Sequence, residues 1–164
     1  MRHIISILLQ NEAGALTRVA GLFSTRGYNI ESLNVAPTDD PTVSRLTLVT
    51  TGTDAVIHQI VNQLFKLVDV VNVDDMTRDQ HVERELLLVK VALAANQVEP
   101  FQAAAQKAGA RVLHDDPASF TVELTDSEAQ INRFIATAGA YGELLEVVRS
   151  GALAISRGAS TLHG

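Results

Sequence analysis

The sequence predicts an α+β protein built from two copies of a βαββαβ unit. Apolar residues recur at helical spacing in four segments, and apolar or alternating runs typical of strands lie between them. Each half therefore has the order strand, helix, strand, strand, helix, strand. A glycine also stands in each half where the first helix gives way to a strand, at Gly27 and Gly109. Such a unit folds as an antiparallel sheet with both helices on one face.

Composition narrows the class of protein. The 164 residues fit one domain or two small ones, and 46% apolar residues with 4% aromatics predict an aliphatic core. A net charge of −6 argues against non-specific nucleic-acid binding. The absence of cysteine excludes disulfides and thiolate metal sites. No apolar run approaches the roughly 20 residues that a membrane-spanning helix needs, so we expect a soluble cytoplasmic protein.

Each predicted helix has one apolar stripe that can cover one face of a sheet. The stripes are Leu16/Val19/Ala20/Phe23, Ile57/Ile60/Val61/Leu64, Phe101/Ala104/Ala105/Ala108 and Ile131/Phe134/Ile135/Ala138. Thr53 is the expected N-cap of the second helix. The run Thr125–Glu128 is typical of a capping box before the fourth helix.

The strand-like runs complete both units. They cover residues 2–9, 29–36, 43–51, 67–74, 85–93, 110–115, 118–124 and 143–149. The polar stretch 77–83 is the predicted linker between a domain of residues 1–76 and a domain of residues 84–164. An apolar run flanked by glycines, residues 151–158, is either an extension that pairs with a sheet or a tail that docks on a partner.

The turn between the first strand and the first helix is the strongest candidate for a binding site. Free N–H groups at a helix start can hold a carboxylate, and Gly14 lets a ligand approach the backbone. Asn11 and Asn29 are expected to bring side-chain amides to the same neighbourhood. These features suit a small zwitterion such as a free amino acid. An ordinary strand-to-helix turn remains the alternative.

Motifs for catalysis are missing from the sequence. The five histidines lack metal-ligand spacing and are expected at the surface or in the linker. No G-x-S-x-G, P-loop or G-x-G-x-x-G pattern occurs. RNA-recognition domains share the βαββαβ topology, but they need aromatic residues on central strands that here have Leu, Val, Thr and Ser.

Seven stretches of the sequence together show a family resemblance. They are residues 11–16, 21–23, 26–33, 35–40, 66–70, 82–86 and 149–151. In these stretches the chain resembles the acetolactate synthase regulatory (small) subunits, a family whose N-terminal half is an ACT domain, an amino-acid-sensing module of ferredoxin-like fold. Residues 94–118 are more divergent.

The resemblance implies a regulatory protein without catalytic residues, cofactor or metal of its own. A separate large subunit would hold thiamine diphosphate, Mg2+ and FAD. The small subunit would activate it and confer feedback inhibition by valine in branched-chain amino acid biosynthesis. The effector would lie between the ACT domains of a homodimer, at Asn11, Ala13, Gly14, Ala15, Leu16, Asn29 and Ile30. The alternatives are a stand-alone amino-acid sensor that acts on another enzyme or regulator, and a small ferredoxin-like enzyme.

Overall fold

A computed structural model describes residues 1–163 and divides the chain into two compact units. Among the described residues, the first unit consists of Met1–Val82 and 152–163, and the second consists of Glu83–Gly151. Each contains the βαββαβ order on an antiparallel sheet. The prediction of an α+β fold with two ferredoxin-like domains is therefore confirmed.

The first unit is a four-stranded sheet with two helices. Its elements are β1 (Arg2–Gln10), α1 (Ala15–Thr25), β2 (Ser32–Pro37), β3 (Val43–Thr51), α2 (Asp54–Phe65) and β4 (Val70–Asp75). The strand order in the sheet is β2-β3-β1-β4, and all neighbouring strands are antiparallel. The core lies between one face of this sheet and the two helices, and it includes Ile5, Ile7 and Leu48.

Helix α1 begins one residue before the predicted apolar stripe. Its buried residues are Ala15, Val19 and Phe23, which lie four residues apart and so share one face. Leu16, which the stripe included, is 38% exposed. The stripe of α2 is confirmed, because Ile57, Ile60 and Leu64 are its buried residues.

The C-terminal segment covers the other face of the first sheet. Ala152 and Ala154 are buried there in one cluster with Ile4, Val49 and Met76. Strand β9 (Leu153–Ser156) pairs with β5 (His81–Ala92). Of the two alternatives for residues 151–158, the sheet-pairing extension is thus the one that the structure shows.

Two expected boundaries differ from the observed ones. Residues 152–163, which the sequence assigned to the second domain, belong to the first unit, because Ala152 and Ala154 are buried on its uncovered face. The Arg45 guanidinium donates to the Ala154 carbonyl (2.8 Å) and to the Ser6 hydroxyl (3.2 Å), which fastens this segment. The predicted linker 77–83 also overlaps the start of β5, since β9 gives that stretch a pairing partner.

The second unit repeats this arrangement, beginning with β5. Its further elements are α3 (Val98–Ala108), β6 (Arg111–His114), β7 (Phe120–Asp126), α4 (Glu128–Tyr141) and β8 (Glu143–Arg149). The strand order in its sheet is β6-β7-β5-β8. The Phe101 ring lies in the core of this unit, and its centroid is 5.6 Å from that of Phe120, 6.1 Å from that of Phe134 and 5.8 Å from that of Tyr141.

Most of the predicted helix ends are confirmed. Thr53 caps α2 by accepting from the Val56 amide (3.3 Å), and Gly109 ends α3 with φ 82°. The cap of α4 lies later in the chain than the sequence predicts. Ser127 caps this helix by accepting from the Gln130 amide (3.4 Å), because β7 continues through Asp126.

Candidate functional site

The β1–α1 turn is tied to the loops on both sides of it. The Gln10 amide donates to the Asp69 carbonyl (2.8 Å), and the Asn11 amide donates to the Thr42 carbonyl (2.8 Å). The Asn11 side-chain amide donates to the Pro41 carbonyl (2.9 Å). Asn11 therefore holds the β2–β3 loop against the turn, and the ligand role that the sequence predicts for it stays a prediction.

Gly14 starts α1 in a conformation that favours glycine. It is the N-cap with φ 85°, and no side chain caps the helix. The Arg18 amide makes the first helical bond, to the Gly14 carbonyl (3.0 Å). The amides of Leu16 and Thr17 therefore precede the helix's own hydrogen bonds, at an end with positive potential.

The turn residues fall into two groups by burial. Ala13, Gly14 and Leu16 are exposed, so a ligand can reach them. Ala15 is 4% exposed and packs in the core. Of the candidate residues in the turn, Ala15 thus offers its backbone rather than its side chain.

Arg18 lies over this turn, and sequence reasoning missed it. Its Nε donates to the Asp69 carboxylate, and its Nη2 donates to the Ala13 carbonyl (3.3 Å). A Cβ placed on Gly14 would lie 2.8 Å from Arg18 Nη1. A sequence signal existed, because Arg18 follows Gly14 by four residues and so lies one helical turn away on the same side.

The Arg18–Asp69 pair joins an accessible cation to a buried carboxylate. The Arg18 side chain is 46% exposed, whereas that of Asp69 is 4% exposed. The hydrogen bond from Arg18 lowers the pKa of Asp69 and raises the pKa of Arg18. Both groups are consequently charged at neutral pH, with the guanidinium facing solvent next to the turn.

Asn29 lies at the other end of the sheet from Asn11, so the expectation that one chain brings them together is wrong. The Asn29 carbonyl accepts from the Thr50 hydroxyl (2.5 Å), and Thr50 pairs with His3 near the start of β1. From there to Gln10, β1 rises roughly 23 Å at about 3.3 Å per residue. The reason is topological: β2 begins at the end of the sheet opposite the β1–α1 turn.

Ile30 contributes to the core rather than to an open surface. It is partly buried and packs against the cluster under the first sheet. Asn29, in contrast, is exposed just before β2. Within one chain these two residues are therefore remote from the turn.

One histidine departs from its expected surface position. His3 is 1% exposed, and its Nδ1 lies 2.9 Å from Asp75 Oδ2. Within residues 1–163 the structure shows no cluster of three or more His, Cys, Asp or Glu residues that could hold a metal. No helix in that range is long and apolar enough to cross a membrane.

Comparison with known proteins identifies the family. A family model described as the AHAS small subunit-like ACT domain matches residues 5–72, and one described as the small subunit of acetolactate synthase matches residues 84–158. The chain belongs to the acetolactate synthase small-subunit family. The sheet and helices of its first unit, β1 to β4, are thus an ACT domain.

Full-length relatives agree with this assignment. The acetolactate synthase isozyme 3 small subunits of Escherichia coli (strain K12) and Salmonella typhimurium are 45% and 46% identical to it, over 96% of this chain and 97% of theirs. The crystal structure of the acetolactate synthase small subunit from Thermotoga maritima superposes with a TM-score of 0.86. The two proteins are 31% identical, and the match covers 98% of this chain and 99% of the Thermotoga maritima chain.

Proposed function

We propose that this chain is the non-catalytic regulatory subunit of an acetolactate synthase in the cytoplasm. It raises the activity of a separate catalytic subunit, and valine bound to the ACT domain reverses that effect. The catalytic subunit holds thiamine diphosphate, Mg2+ and FAD and condenses two pyruvates, or pyruvate with 2-oxobutyrate. The observation that carries this proposal is the helix start at Gly14, which no side chain caps, in an ACT domain of this family.

The chemistry of the turn suits valine. The amides of Leu16 and Thr17 can bind its carboxylate at the positive end of α1. Backbone carbonyls and the Asn11 side chain can accept from its ammonium group. Leu16, which is 38% exposed, offers an apolar surface to the isopropyl group. A small apolar wall fitted to the isopropyl group distinguishes one methylene by about 1–3 kcal/mol, so we expect leucine and isoleucine, which are one methylene larger, to bind more weakly.

Sheet topology supports a site shared by two ACT domains. Strand β2 is an edge of its sheet and pairs only with β3 among the described residues. Two copies joined antiparallel through β2 form one continuous sheet with two-fold symmetry. The start of the second copy's β2 then lies at the end where the first copy has its Asn11–Leu16 turn. A homodimer therefore brings Asn29 and Ile30 of the partner subunit to the turn, which one chain alone cannot do.

The test is acetolactate formation by the cognate catalytic subunit, with and without this chain, across a valine titration. We expect a higher rate with the chain and a return towards the basal rate with valine. If the chain has no effect and valine has none, the assignment fails and a stand-alone sensor becomes the better explanation. Calorimetry with the twenty amino acids would then test that alternative.

Two variants test the location of the effector. Gly14→Asp places a carboxylate where the ligand's own carboxylate binds, so inhibition should be lost while activation remains. Asn29→Ala should weaken inhibition, and Asn62→Ala, at an exposed position on α2, is the matched control. Full valine inhibition of the Gly14→Asp complex would remove the turn from the site.

A further inference from the structure

We infer that Arg18 binds the carboxylate of the effector, with its guanidinium held in place by Asp69. This inference rests on the proposed function, because it names a recognition group of the same site. It adds a side-chain cation to a site otherwise formed by backbone amides and asparagines.

The position of the guanidinium is the first argument. Arg18 Nη1 lies within 2.8 Å of the point where a Cβ on Gly14 would be, and Nη2 donates to the Ala13 carbonyl (3.3 Å). The group therefore borders the turn directly at the glycine. A carboxylate on the free amides of Leu16 and Thr17 would lie next to this cation.

The hydrogen-bonding capacity of the guanidinium is the second argument. Arginine has five N–H groups, and here one is used by the Asp69 carboxylate and one by the Ala13 carbonyl. The other three, two of them on Nη1, have no acceptor among the residues that the structure describes. The side chain is 46% exposed, so a ligand can reach them. Parallel N–H groups of this kind match the two oxygens of a carboxylate.

The third argument is that Asp69 holds the Arg18 guanidinium in place. The carboxylate that fixes its Nε is buried, and the backbone carbonyl of the same residue, Asp69, accepts from the Gln10 amide (2.8 Å). The guanidinium is thus tied to the end of β1 before a ligand arrives. Ordering it beforehand lowers the entropic cost of binding. The ligand class that follows is a small carboxylate, and an uncharged amide analogue should bind poorly.

The experiment compares valine with valinamide by calorimetry on the full chain. The wild type should prefer valine, since the charge-assisted bond is available only to a carboxylate. In Arg18→Gln the affinity for valine should fall about 10-fold or more, while the affinity for valinamide stays unchanged. The ratio of the two affinities should therefore shrink by the same factor. Arg18→Lys keeps the positive charge but lacks the parallel N–H groups of the guanidinium, so it should give an intermediate ratio of valine to valinamide affinity.

The control is Arg26→Gln, which removes the same charge from the other end of α1, about 12 Å along the helix axis. It should leave the ratio at the wild-type value. Equal weakening of both ligands in Arg18→Gln would show a purely structural role and overturn the inference, as would an unchanged ratio. In either case valine binding by the wild type leaves the proposed function standing. A wild type that binds no valine contradicts the proposed function itself.

Discussion

Replacing Gly14 by alanine should damage both stability and regulation, for separate reasons. The left-handed backbone at φ 85° costs an L-residue roughly 1–2 kcal/mol. Alanine offsets about 0.4–1 kcal/mol of this cost, because the unfolded chain has less conformational entropy with alanine than with glycine at this position. The net loss in the free energy of unfolding is about 1 kcal/mol, which lowers the Tm of a unit this small by about 4–8 °C.

We expect the effect on regulation to come from Arg18. A Cβ on Gly14 lies 2.8 Å from its Nη1, a separation that real side chains do not tolerate. The guanidinium is the flexible end of an accessible side chain, so it moves aside and adds little to the loss of stability. Having moved, it no longer borders the turn, and valine affinity should fall about 10-fold.

Gly109→Ala separates the two effects. Gly109 has φ 82°, and a Cβ at that position would have no neighbour within 4 Å, so the substitution has the same backbone cost without a displaced side chain. Thermal unfolding should show similar losses for both variants, and valine inhibition should weaken only in Gly14→Ala. Unchanged inhibition in Gly14→Ala, at a similar loss of stability, would refute the argument from the guanidinium's position.

Three further predictions concern stability. A Cβ on Gly142 would lie 2.2 Å from a β5 carbonyl, so Gly142→Ala should cost about 1–3 kcal/mol, whereas Gly139→Ala, in a helix with ordinary contacts, should be neutral or stabilising by denaturant titration. Ser127→Ala should cost about 1 kcal/mol in the same assay through loss of the α4 cap. The hydrogen bond from Arg18 lowers the pKa of Asp69 below its ordinary value of 3.8. The ionised carboxylate therefore stabilises the folded chain above pH 3.8, and this stabilisation is lost as the pH falls through the lower pKa of the folded state. Asp69→Asn should remove this part of the acid dependence in unfolding measured against pH.

Each of these predictions has a contradicting result. Equal losses of stability from Gly142→Ala and Gly139→Ala would mean that the backbone between α4 and β8 shifts to accommodate the added Cβ. A larger loss from Thr125→Ala than from Ser127→Ala would restore the cap that the sequence predicted. An Asp69→Asn variant with the same acid unfolding curve as the wild type would show that the carboxylate has the same pKa in the unfolded chain.

The candidate site was only partly predictable from the sequence. The Asn11–Leu16 turn is continuous in the chain, so its helix start and its glycine follow from local rules. Arg18 could have been inferred from helical spacing, but its partner Asp69 could not, because that contact spans 51 residues. The separation of Asn29 from Asn11 depends on the direction of β2, which only the strand order reveals.

The sequence by itself determined the two βαββαβ units, because hydrophobic periodicity and helix caps act over a few residues. Its stretches of family resemblance also pointed to the correct family, which the full-length relatives confirm. Only the tertiary structure decided to which unit residues 152–163 belong and why α1 buries Ala15 instead of Leu16. Those outcomes depend on which sheet face is left uncovered and on where a helix begins. The free energy of burying apolar surface decides both outcomes, and it acts only when segments that are distant in the sequence come into contact.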